Sequence, residues 1–310
     1  MQKAYINTLY DIVENDKNCF YLVADNGTDY DNFFMRDYPE QCFNVGISEQ
    51  NMVGVAAGMV NQGKTVFITS NGPFLAYRAN EFIRNSICLQ KRAVKIAAFG
   101  CGLSISRLGA THHATEDIAV LRSFPGLLIL SPASPLDVVR MTKFAYNYSG
   151  PVYLRIGMSG EKEIHNQTKD FELGECPEIV KGDEIAIFAT GSIVNEAILA
   201  AKELEKIGVN IGVVSVTTLS ATENYEKLKK VLLKYKLIFS LEEHSIYGGL
   251  GSIIAEVIAK EKLYSGLYTI GLENCFANGY GTVNDIRKNN NLDCDNIVKI
   301  IKRRILDESL

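Results

Sequence analysis

Short apolar runs recur along the chain, and between them the apolar positions space out to a helical period. Residues 3–16 place Ala4, Tyr5, Leu9, Ile12 and Val13 on one face, which predicts an amphipathic helix. Residues 19–24 are a compact apolar run ending at Asp25, which predicts a buried strand with a polar segment, 25–32, at its C-terminal end. A second strand is expected over 43–45 and a helix over 48–60, with Gly63 as a left-handed cap. Strands at 65–69 and 94–99 flank a helix at 74–89. A glycine-rich loop, 100–110, then leads into Thr111, His112 and His113. A helix over 115–123, a strand over 127–130, a helical region from Pro132 to Tyr148 and a strand over 151–156 complete this half.

The pattern breaks between 158 and 183, where polar residues and glycines interrupt it, and then resumes. Strands are expected at 184–190, 209–216, 237–241 and 268–272, with helices at 192–207, 222–235, 248–260 and 295–306. Strands alternating with helices predict an α/β chain of two doubly wound domains, mostly parallel sheets with helices on both faces. The expected division is a first domain over 1–160, a linker over 161–183 and a second domain over 184–310. The cationic residues Lys302, Arg303 and Arg304 suit the dipole of a terminal helix.

Three stretches stand where chemistry is expected, each on the C-terminal side of a strand, where doubly wound sheets gather their ligands. In Phe43 to Gly58 a short apolar run turns at Gly46 and continues as a helix of small residues, with Glu49 at the junction. Glu49 is either a first-turn glutamate favoured by the helix dipole or a desolvated acid able to donate or share a proton. In Ser70 to Arg78, Phe74 and Tyr77 lie three apart and share a helix face. They form either a core aromatic pair or a platform for a flat ring. In Gly109 to Asp117, the adjacent His112 and His113 are poorly placed to converge on a metal. Either one caps the helix and one packs, or one acts as a general acid/base or substrate hydrogen-bond donor.

Bulk composition narrows the classes. The chain has 310 residues, 47% hydrophobic and 22% charged, with a formal net charge of −4, so it carries no basic surplus for nucleic acid. Seven scattered cysteines, none in a Cys-x-x-Cys pair, argue against a disulfide framework or a zinc site. No apolar run approaches the ~20 residues of a spanning helix, and no signal core opens the chain. No membrane association and a cytoplasmic location are expected.

The segment Val45-Gly46-Ile47-Ser48-Glu49-Gln50 resembles the glutamate motif of the transketolase family of thiamine-diphosphate enzymes. The likeness continues through Phe74, the Gly109–His112 loop, Gly150 to Arg155, and the region from Glu242 to Gly251. It covers the family's pyrimidine-binding and C-terminal domains only. The Gly-Asp-Gly metal motif of the diphosphate-binding domain is not in this sequence. The resemblance therefore implies one subunit of a split transketolase that transfers a two-carbon ketol (glycolaldehyde) unit between sugars. The cofactor would be thiamine diphosphate with Mg²⁺. The metal and diphosphate sites would lie on a partner subunit, within an α2β2 heterotetramer.

Carried over, Glu49 would hydrogen-bond N1′ of the aminopyrimidine and promote the tautomer that deprotonates the thiazolium carbon. Phe74 and Tyr77 would flank the pyrimidine, Ile47 would hold the bent cofactor, and Asp25 would lie near the thiazolium. His112 would contact substrate oxygen and shuttle protons, with His113 beside it, and Arg155 would bind a substrate phosphate. The sequence departs from the family pattern at Leu108, where an acid reads the acceptor, at Gly100, in place of a phosphate-binding histidine, and at Asn71, in place of an aromatic. These departures point away from an ordinary pentose-5-phosphate pair and towards a modified or nucleotide-linked sugar. Rival expectations are the β subunit of a 2-oxo-acid dehydrogenase, a 1-deoxyxylulose-5-phosphate synthase-like carboligase, and a non-catalytic scaffold. The Gly109-Ala110-Thr111-His112 loop favours transketolase.

Overall fold

The structure, a computed structural model, describes residues 1–25, 29–158, 160–166, 169–220 and 225–308. The apolar runs become two sheets. The first holds β1 (Cys19–Val23), β2 (Cys42–Asn44), β3 (Thr65–Asn71), β4 (Lys95–Phe99), β5 (Leu128–Leu130) and β6 (Val152–Ile156), in the order β2-β1-β3-β4-β6-β5. Every neighbouring pair is parallel, with Tyr21 opposite Phe67 and Ile68 opposite Ile96. Every position of β4 and β6 is buried, as a parallel sheet covered on both faces requires. Successive residues alternate between faces. Leu22, Ile68, Ile96 and Tyr153 therefore enter one core, while Tyr21, Phe67, Ala97 and Leu154 enter the other.

The second sheet holds β7 (Glu178–Val180), β8 (Ile185–Ala189), β9 (Ile211–Ser215), β10 (Leu237–Ser245) and β11 (Gly266–Leu272), in the order β11-β10-β8-β9-β7. It is parallel except at β7, which pairs antiparallel with β9. Residues 178–180, expected within a linker, are thus an edge strand of the second sheet. The two sheets share one of the buried cores, which runs from Leu22 and Ile96 through Val214 and Leu219 to Ile254. Backbone bonds cross the same boundary, from Ser131 N–H to Thr217 O (2.8 Å) and from Leu219 N–H to Ile129 O (2.9 Å).

Two helices were not expected. Asp29–Asp37 arises in a segment that is polar on average. Val283–Asn289 is opened by a capping box, in which Thr282 and Asp285 satisfy each other's backbone N–H. The segment 74–89 is helical but not regular. Two π-helical turns, Phe74–Arg78 and Ile83–Cys88, flank a short α-helical piece, Asn80–Phe82. Their signature is the pair of i→i+5 bonds from Ala79 N–H to Phe74 O and from Leu89 N–H to Arg84 O. Among the described residues no helix is long and apolar enough to cross a membrane.

Candidate active site

The strand order puts the C-terminal ends of β2, β1, β3 and β4 side by side, with the chain reversing its direction of winding between β1 and β3. Ligands of open α/β sheets lie at such a reversal. Four loops converge there, carrying Asp25, Glu49, Ser70 to Arg78, and Gly100 to His113.

Glu49 is the first residue of the helix Glu49–Asn61 and is 1% exposed. Gly46 sets it up. Its φ of +74° turns the chain out of β2, and its N–H is held by Asn44 Oδ1 at 2.8 Å. Asn44 also donates to Asp25 Oδ1 (3.3 Å), which ties the ends of β1 and β2 together. Asp25 is exposed, with φ +42°. The Glu49 carboxylate accepts from Ser70 Oγ at 3.1 Å and from Arg78 Nη1 at 2.6 Å. The Arg78 guanidinium lies 4.4 Å from the centroid of the Phe74 ring. A buried carboxylate thus faces a planar N–H donor stacked on an aromatic ring.

The π-turn explains why Arg78 and not Tyr77 shares the face with Phe74. A wider turn brings residue i+4 back over i and rotates i+3 away. The shared face expected for Phe74 and Tyr77 is therefore corrected. The Tyr77 hydroxyl instead donates to Glu116 Oε2 (2.8 Å) and accepts from Glu116 N–H (3.0 Å). On the other side Phe74 meets His112 edge-to-face, with centroids 5.2 Å apart. The His112 Nδ1 lies 3.0 Å from Thr111 Oγ1, and the backbone N–H of His112 donates to Gly109 O at 2.9 Å. Glu49, Phe74 and His112 are accordingly brought together. Ile47, two residues before Glu49, is 73% exposed.

Two expected substrate residues do not reach this surface. His113 turns inward and is 2% exposed, and burial pushes its imidazole below the ordinary value, which keeps it neutral. Arg155 is 4% exposed, and its Nε pairs with both oxygens of Asp117 at 3.0 and 3.2 Å. Its Nη2 donates to Ala114 O and Glu243 O. Burial opposes the Arg155 charge, and the Asp117 carboxylate together with Cys101, Tyr153 and Glu243 outweighs it. The guanidinium pins the base of the His112 loop, and the structure does not bring it to the surface where a phosphate-binding role was expected.

The departure at Gly100 has a steric cause. Its φ is +69°, and a Cβ there would lie 2.2 Å from Ile105 Cγ1 and Cδ1, so no histidine fits. Leu108 is exposed on the turn Ser106–Leu108. Two site residues, Ser70 and Arg78, were not assigned from the sequence. Both lie in the stretch singled out there, but the π-turn that aims Arg78 has no signature in residue periodicity. Among the described residues no three His, Cys, Asp or Glu side chains converge to hold a metal ion.

The pyrimidine-binding domain of transketolase matches residues 1–159, and the transketolase C-terminal domain matches 174–278. The chain belongs to the transketolase family. One of the named subunits of an apulose-4-phosphate transketolase from Actinobacillus succinogenes is 36% identical over 270 residues, which cover 86% of this chain and 86% of that one. Its namesake from Phocaeicola vulgatus is 30% identical over 300 residues, covering 96% and 95%. A solved split-gene transketolase, described as an inactive beta4 tetramer, aligns with a TM-score of 0.85 at 33% identity over 97% of each chain. This transketolase-family chain spans most of the length of those relatives.

Proposed function

We propose that the chain is the pyrimidine-side subunit of a thiamine-diphosphate-dependent enzyme that moves a two-carbon ketol unit between sugars. A second polypeptide would bring the residues that hold the diphosphate and Mg²⁺, in an α2β2 assembly. The observation that carries this is the seat formed by Glu49 and Phe74. A planar N–H donor already stacks on Phe74 at 4.4 Å and bonds the buried carboxylate at 2.6 Å, so the seat accepts a flat nitrogen ring. When bound, the cofactor supplies an electron sink for breaking a ketose C–C bond. Glu49 would hold the pyrimidine nitrogen and exchange a proton with it. Phe74 would stack on the ring, Ile47 would support it, and Asp25 would offer negative charge to the cationic ring. Tyr77 would border the seat through Glu116. His112 would bind substrate oxygen and move protons there.

The substrate side supports a sugar other than the usual pentose 5-phosphates. Ile105 fills the space beside Gly100, Arg155 is sequestered, and Leu108 offers no acid. The two relatives named for apulose 4-phosphate support the same reading. The test is to co-purify the chain with a diphosphate-binding subunit and assay ketol transfer. Apulose 4-phosphate is expected to be the better donor, xylulose 5-phosphate with ribose 5-phosphate the poorer, and the chain alone inactive. Full activity on the pentose pair at ordinary KM would overturn the substrate reading, and turnover by the lone chain would overturn the split site. Acyl transfer from a 2-oxo acid to a lipoyl domain would replace the reaction class.

The stand-in itself makes a prediction. Arg78 must leave Glu49 before a ring can take its place. Arg78→Met is therefore expected to tighten cofactor binding to the assembled enzyme roughly fivefold, since a partly exposed charged contact is worth about 1 kcal/mol. Calorimetric titration reads it, and unchanged or weaker binding would show that Arg78 does not occupy the ring's position.

A further inference from the structure

The loop that carries His112 is held from the second sheet's side of the molecule. Three contacts do this. Ser106 Oγ donates to Gly281 O at 2.8 Å. Leu103 N–H donates to Glu243 Oε2 at 3.3 Å, and the same carboxylate accepts from Ser192 Oγ (3.1 Å) and from Arg287 Nε on Oε1 (2.7 Å). Burial alone would raise the Glu243 carboxyl, but the Arg287 guanidinium, the Leu103 N–H and Arg155 together outweigh it and hold it below the ordinary range, so the anchor stays charged. The third contact is Tyr280 against Gly109. A Cβ on Gly109 would lie 2.4 Å from Tyr280 Cε1 and 2.9 Å from Cζ, so the ring is seated directly on the glycine.

Gly109 is the hinge point of the His112 turn. Its φ of +71° separates the turns Ser106–Leu108 and Ala110–His112, and its carbonyl accepts the His112 N–H. Whatever fixes Gly109 fixes the direction in which the imidazole leaves the backbone. Tyr280 does so while 73% exposed, so the ring has one face on the turn and the rest open. The residue is flanked by Gly279 (φ +97°) and Gly281 (φ +141°), both in backbone conformations that favour glycine. The capped helix Val283–Asn289 follows directly, and its Arg287 is bound to Glu243. Tyr280 also lies just past the residues matched to the family's C-terminal domain, 174–278.

We infer that Tyr280 is a positioning residue: by seating on Gly109 it sets the His112 imidazole against Phe74 at the mouth of the site. This rests on the proposed function for the role of His112 in turnover, but the placement itself can be read without activity. The His112 ring lies edge-on to Phe74, so its carbon-bound protons feel that ring's current. In the full chain labelled on histidine, Tyr280→Ala is expected to shift and broaden the His112 imidazole resonances. Tyr280→Phe is expected to leave them in place, because the closest contact is a ring carbon and not the hydroxyl. In the assembled enzyme Tyr280→Ala should lower kcat/KM for ketol transfer about tenfold or more, as misplacement of a reacting group does. Cofactor Kd should be unchanged, and Tm nearly so, since little buried surface is lost. His112 resonances that do not move in Tyr280→Ala overturn the positioning role. Resonances that move while ketol transfer is unaffected uphold the positioning and overturn instead the place of His112 in the reaction.

Discussion

Glu49→Gln is expected to lower the ketol-transfer kcat of the assembled enzyme by about 10²- to 10⁴-fold, the range for loss of a positioned acid–base group. The replacement is nearly isosteric, so the seat keeps its shape. Ser70 Oγ can still donate to the side-chain oxygen at the position it now occupies, 3.1 Å away. What disappears is the capacity to take and return a proton at a ring nitrogen, because an amide does neither at neutral pH. The cost to folding should be small. Arg78 reaches solvent, so removing its partner leaves a hydrated cation and not a buried one, a change worth at most about 1 kcal/mol. Steady-state kinetics together with a melting curve read the two effects separately. A variant that keeps its Tm and its partner and still turns over within tenfold of the parent would remove Glu49 from the chemistry.

Arg155→Met should have the opposite signature. Asp117 is fully buried, and Arg155 supplies its countercharge through Nε. Without it a carboxylate is left in the interior beside neutral groups, the Tyr153 hydroxyl at 3.1 Å and the Cys101 thiol, and the carbonyls of Ala114 and Glu243 lose a donor. Breaking a buried pair on one side costs about 3–5 kcal/mol. A Tm lower by on the order of 5–10 °C is expected for a chain of this size. Substrate KM in whatever fraction folds should stay near the parent's. An unchanged Tm with a raised KM would restore the phosphate-binding role that the resemblance suggested.

Much of the sheet architecture was legible because it rests on short range. A buried parallel strand must be apolar at nearly every position, so runs such as 94–99 and 151–156 announce β4 and β6 directly. The junction at Glu49 was equally plain, since an apolar strand, a glycine and a helix of small residues leave few other folds. The helix Asp29–Asp37 was missed because its sequence is mostly polar, and β7 because three residues carry no period. The failures at the site have a different origin. Spacing of three put Phe74 and Tyr77 on one face only if the turn is α-helical, and the extra residue in the π-turn reassigns that face to Arg78. Arg155 lies in a strand whose other side chains are apolar, yet what decides its role is Asp117, thirty-eight residues earlier, which sits across from it only after folding. His113 and His112 are neighbours in sequence, and the extended backbone at His113, φ −81° and ψ 137°, sends one inward and leaves the other at the surface. Tyr280 and Gly109 are joined by no local pattern at all.

The seam along the edge of the first sheet has a bearing on motion. Residues 129–131 and 217–219 exchange backbone hydrogen bonds, with Leu130 bridged to Thr218, and the apolar core continues beneath them. A boundary that is both hydrogen-bonded and filled with side chains cannot bend without exposing peptide groups and apolar surface together. The two halves should therefore melt in one cooperative transition and carry no clamshell closure within the chain. Among the described residues, opening of the site is therefore left to the loop over residues 100–113, or to the chain moving as one rigid piece.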